Sequence, residues 1–140
     1  MSAGSSSERV RVALVGPYPL DPTRVAGGVE TAFTTLVSGL ARTDGVEASV
    51  ITFDASLDES RHVDVDGVRV LYLPGTQRFG NLTSHRRERR LLAEALAEIE
   101  PDIVHAQDSL RYGYACLTTA NAPVVEQQQP LFIIIHRNRW

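Results

Sequence analysis

The stretch VRVALVGPYPLDPTRVAGGVETAFTTLVSGL, residues 10–40, decides the fold. Val10-Arg11-Val12-Ala13-Leu14-Val15 is an apolar run of strand length. A turn, Gly16-Pro17-Tyr18-Pro19-Leu20-Asp21-Pro22, follows it, and Gly27-Gly28-Val29-Glu30 then opens a helix. Val29, Ala32, Phe33, Leu36, Val37 and Leu40 recur at i, i+3, i+4, i+7, i+8 and i+11, one face of that helix. Strand, glycine turn and helix in this order are the opening of an α/β nucleotide-binding fold.

The turn has a specific physical property. The first N–H groups of a helix lack intrahelical acceptors, and the aligned peptide dipoles place partial positive charge there. Glycine lets the backbone approach a ligand with no Cβ in the way. Gly27 and Gly28 thus suit an anion, typically a phosphate. The plainer alternative is that they only permit a tight turn. Glu30 complements the helix dipole in either case.

Outward from this stretch, strand and helix patterns alternate. Residues 1–8 are Ser/Gly-rich and are expected to be a disordered tail. Thr43-Asp44-Gly45 ends the first helix, and residues 46–53 read as a second strand. Val63-Asp64-Val65-Asp66-Gly67-Val68-Arg69-Val70 alternates about an Asp-Gly pair, which predicts a hairpin reaching Leu73. Thr83 or Ser84 is placed to cap a helix through Ile99, with Leu92, Ala95, Leu96 and Ile99 as its apolar stripe. Arg90 and Glu94 sit at i, i+4 on its exposed side. Asp102-Ile103-Val104-His105-Ala106 reads as a buried strand, with a third helix over residues 110–120. Such alternation implies a parallel sheet with right-handed crossovers. Ala122-Pro123-Val124-Val125 starts another strand, which Glu126-Gln127-Gln128-Gln129-Pro130 is expected to break. Leu131-Phe132-Ile133-Ile134-Ile135 is either a sheet strand or an exposed edge.

Composition narrows the function. The chain has 140 residues, 43% apolar and 22% charged, the balance of one soluble globular domain. A formal net charge of −3 argues against general nucleic-acid binding. Cys116 stands alone, which excludes an internal disulfide and a cysteine zinc cluster. No signal peptide precedes the Asn81-Leu82-Thr83 sequon and no apolar run reaches membrane-spanning length, so a cytoplasmic location is expected. All 14 basic residues are arginine. A phosphate loop of the Walker type needs its lysine, and so does a Schiff base; both are excluded. The run His85-Arg86-Arg87-Glu88-Arg89-Arg90 is either a solvated helix face or a weak contact for an anionic lipid surface through Arg86, Arg87, Arg89 and Arg90.

Three motifs give the chain a family likeness. They are the strand with Gly27-Gly28-Val29-Glu30, the Asp66-Gly67-Val68-Arg69-Val70 hairpin ending in Leu73-Pro74, and Pro101-Asp102-Ile103-Val104-His105-Ala106-Gln107-Asp108. In this order and spacing, over residues 9–125, they resemble the N-terminal domain of GT-B retaining glycosyltransferases of family four. The resemblance implies a Rossmann-like open parallel sheet with flanking helices and an inserted hairpin, one half of a two-domain architecture. It implies that this half mainly binds the acceptor, and that Gly27 and Gly28 reach the diphosphate of a nucleotide-sugar donor. It places His105 as a catalytic candidate and Asp108 on the acceptor side. His105 read by itself is equally a structural histidine, and Asp108 equally a helix cap. The family's front-face displacement needs no metal and no protein nucleophile, so none is expected here.

Two departures accompany the likeness. The donor-binding domain is not within these residues, so the chain alone is expected to have little or no activity. The glutamine-rich stretch interrupts the strand that normally leads to a sugar-contacting histidine. His136 is the stand-in for that histidine, and residues 126–140 read as an atypical tail, truncated or frameshifted. Two rivals remain: a split transferase whose donor domain is a partner chain, and a non-catalytic anion-binding or interaction domain on the same fold.

Overall fold

A computed structural model describes residues 8–21, 23–24, 27–75, 82–107, 122–127 and 132–135, with backbone alone for 82–85, 126–127 and 132–135. Among these the elements are β1 (Val10–Val15), α1 (Gly28–Ala41), β2 (Val46–Asp54), β3 (Arg61–Val65), β4 (Val68–Pro74), α2 (Leu82–Ile99), β5 (Ile103–Gln107), β6 (Val124–Gln127) and β7 (Phe132–Ile135). The strands form one sheet of order β3-β4-β2-β1-β5-β6-β7. β4, β2, β1, β5 and β6 are parallel to one another; β3 and β7 pair antiparallel at the two edges. Counted in chain order, the parallel strands lie third, second, first, fourth, fifth. This is the Rossmann-like arrangement.

Side-chain alternation gives the sheet two apolar faces. Val12, Leu14, Val50, Val70 and Tyr72 pack with Phe33 and Val37 of α1. Ala13, Val15, Ile51, Leu71, Val104, Ala106 and Val124 pack with Leu92, Ala95, Leu96 and Ile99, the whole stripe read on α2. Opposite the stripe, Arg90 reaches Glu94 at 3.9 Å. Val29 departs from the expected face of α1: it is 46% exposed.

The hairpin forms as the Asp-Gly pair requires. Asp66 and Gly67 take φ of 51° and 82°, and the Gly67 N–H donates to Asp64 Oδ1 at 2.9 Å. Its two arms differ in role. β4 is buried along its length and pairs parallel with β2, so it is a core strand of the sheet. Only β3 is added, as the outer return path from β2 to β4.

Two expectations are corrected. α2 begins at Leu82, so Thr83 and Ser84 lie inside the helix and neither is its cap. The glutamine-rich stretch does not break the strand at Val125: β6 continues through Glu126 and Gln127, paired with Ala106 and Gln107. A parallel neighbour satisfies the backbone whatever the side chains are. β7 then pairs back on β6, with Gln127 opposite Phe132. Residues 1–7 of the tail expected over 1–8, Asn81, the third helix over 110–120 and Cys116 lie outside the described residues.

At the end of the sheet where β1 begins, β1 and β5 are clasped. The Arg11 N–H donates to Asp102 Oδ2 at 2.8 Å, and the Asp102 N–H donates to the Arg11 carbonyl at 2.8 Å. That end of the fold is structural. The opposite end holds the candidate site.

Candidate functional site

The strand order reverses between β1 and β5, and in open α/β sheets ligands bind in the crevice beyond the carboxyl ends of such strands. Gly16 follows β1 directly, and its N–H donates to the Ile51 carbonyl at 3.2 Å. Gln107 ends β5 and is 2% exposed. A Cβ on Gly16 would lie 2.7 Å from Phe33 Cε2 and 2.8 Å from Gln107 Cβ. Only glycine at 16 lets α1 and β5 close together at this point.

From Gly16 the chain leaves the sheet under tethers. The Tyr18 N–H donates to Thr52 Oγ1 at 3.2 Å. The Tyr72 hydroxyl donates to the Pro19 carbonyl at 2.8 Å. The Tyr18 ring meets Phe33 edge-on, with centroids 6.5 Å apart. Burial, helped by the neighbouring Tyr18, pushes the Tyr72 hydroxyl up to about 12, so it stays a donor at all ordinary pH. Asp21 then closes a small turn, accepting from the Thr23 N–H at 3.0 Å and the Thr23 hydroxyl at 2.6 Å. These bonds, the hydroxyl first, hold its carboxyl below the usual carboxylate range.

The loop ends at Gly27, the N-cap of α1, with φ 92° and ψ 172°. That φ is one that L side chains rarely adopt. No side chain caps the helix. The Gly27 carbonyl accepts from the Thr31 N–H at 3.1 Å and the Thr31 hydroxyl at 2.8 Å. Gly27 and Gly28 are exposed, and a Cβ on either would meet none of the described residues within 4 Å. The first-turn amides lack intrahelical acceptors, and the positive end of the helix dipole lies at this turn.

His105 lies in β5 opposite Leu14, two residues short of the strand's end. It is half-buried, with its Nε2 buried. Its neighbours Val104 and Ala106 face α2, so His105 and Gln107 share the α1 face. Asp108 and His136 lie outside the described residues. On α2, Arg86 and Arg87 are exposed and Arg89 is half-buried, while Glu88 between them is buried. Among the described residues no three His, Cys, Asp or Glu side chains gather where a metal ion could be held. No helix among them is long and apolar enough to cross a membrane.

Sequence reasoning missed Gly16, Thr52, Tyr72 and Gln107. Gln107 had a signal, a polar residue closing an apolar strand inside a quoted motif. Thr52 and Tyr72 had only a weak one: each is a hydroxyl near the end of a strand expected to be buried.

A family model for glycosyltransferase family 4 matches residues 26–138. The match takes in the glycine turn and continues past the glutamine-rich stretch. No curated protein matches the chain.

Proposed function

The chain belongs to glycosyltransferase family 4, and from that membership we propose that it is the acceptor-side half of a retaining, nucleotide-sugar-dependent transferase that moves a hexosyl group to an acceptor. The observation that carries the reading is the uncapped N-terminus of α1 at the strand-order reversal, with Gly27 and Gly28 exposed. Backbone amides there take up charge on the departing diphosphate, fixed in place before the reaction begins. The scheme uses no metal ion. His105 and Asp108 serve the acceptor side, and His136 the transferred sugar. A second domain supplies the remaining grip on the donor. Arg86 and Arg87, with Arg89 and Arg90, bring α2 into weak contact with an anionic lipid surface.

Gly28→Trp tests the donor loop. A Cβ at 28 meets none of the described residues within 4 Å, so the indole is expected to cover the amides without disturbing the fold. Calorimetric titration with UDP, GDP and their sugars is expected to show affinity reduced by about tenfold or more, the loss of roughly 1.4 kcal/mol or more of binding energy. Circular dichroism stays unchanged. Equal affinity in the variant removes Gly27 and Gly28 from the donor site.

A further inference from the structure

We propose that Thr52 and Tyr72 are positioning residues that set the β1–α1 loop, and through it the glycine turn, before any ligand arrives. The inference rests on the donor-loop reading for its functional consequence, but its structural basis is separate. Pro17, Pro19 and Pro22 carry no N–H, so this loop has few donors with which to lock itself. Side chains of the sheet do the work instead. Thr52 takes the Tyr18 N–H, and Tyr72 gives its proton to the next residue's carbonyl. Both side chains are 1% exposed on the α1 face of adjacent strands, so their directions are fixed by packing. The two bonds hold the Pro17–Tyr18 and Pro19–Leu20 peptide groups, one on each side of the Tyr18–Pro19 bond, so they fix the path of the chain here and not merely its distance from the sheet. A loop held in its working geometry loses less freedom on binding, which is where preorganisation gains affinity.

Three variants test this: Thr52→Val and Tyr72→Phe, which each delete one hydroxyl, and Thr52→Ser, which keeps it and removes a buried methyl. UDP and GDP titrations, melting temperature and amide exchange over residues 16–24 are measured on each. Thr52→Val and Tyr72→Phe are expected to weaken binding about fivefold, the factor carried by one ordinary hydrogen bond, and to speed exchange in the loop. Thr52→Ser is expected to bind as the parent does while melting lower. Affinity that follows melting temperature across the three variants overturns the proposal, and so does unchanged exchange. Should the parent bind neither nucleotide, the donor-loop reading falls and exchange alone decides the tether. Faster exchange in Thr52→Val and Tyr72→Phe but not in Thr52→Ser then upholds it, and any other pattern overturns it.

Discussion

At the scale of single residues, the glycines of this chain do opposite jobs. Gly16 exists to be small: the Phe33 ring and Gln107 Cβ stand within 2.8 Å of where its Cβ would be. Gly27 and Gly28 have no described residue within 4 Å of where a Cβ would stand, and what the fold requires of Gly27 is its positive φ. Gly16→Ala is therefore expected to lower unfolding free energy by about 1–3 kcal/mol, the usual cost of overpacking, whereas Gly28→Ala leaves it unchanged or slightly raised. Urea denaturation of the two variants checks both signs. Equal stabilities would mean that Phe33 shifts aside without cost. In the sequence the three glycines look alike. Gly27 and Gly28 announce themselves because a helical pattern starts at them. Gly16 does not, because its reason is a ring seventeen residues away and a strand end ninety-one residues away.

At the scale of elements, what was legible is what each segment decides for itself. The stripe Leu92, Ala95, Leu96 and Ile99 is a local period, and the Asp66-Gly67 turn is a local geometry; both formed. What a neighbour decides was not legible. β6 runs through Glu126 and Gln127 because β5 offers it backbone partners. β4 is a core strand as well as a hairpin arm, because β2 lies beside it. The direction of α2 is likewise tertiary. Arg69, early in β4, pairs with Glu98 near the helix's end, so α2 runs antiparallel to the strands. Its arginine-bearing first half then lies toward the crevice rim. In the proposed lipid contact, Arg86 and Arg87 together would contribute on the order of 2 kcal/mol. Cosedimentation with phosphatidylserine vesicles is expected to fall by on the order of tenfold in Arg86→Ser/Arg87→Ser and to vanish at high salt. Equal sedimentation with neutral vesicles would remove the lipid contact.

At the scale of the whole molecule, one absence and one buried hydroxyl combine. The chain contains no lysine, and its 14 arginines stay charged throughout the alkaline range. Between about pH 10 and 12 its tyrosines then carry most of the change in side-chain charge. Tyr72 is pushed up to about 12 in the folded state, and Tyr18 is raised as well, by burial before all else. A folded-state value above the unfolded one means that the fold favours the protonated form. The resulting stability is complete below the unfolded value near 10 and drains away as pH climbs through the folded value. Losing that proton also removes the donor that holds Pro19, so alkaline loosening should begin at the β1–α1 loop and not in the two apolar faces. Urea midpoints are expected to be level approaching pH 10 and to fall steeply toward pH 12. Tyr72→Phe starts lower and falls less. Parallel curves for parent and variant would show that Tyr72 titrates as freely in the folded chain as in the unfolded one. The tether that orients the loop would then be too weak to hold a proton in place.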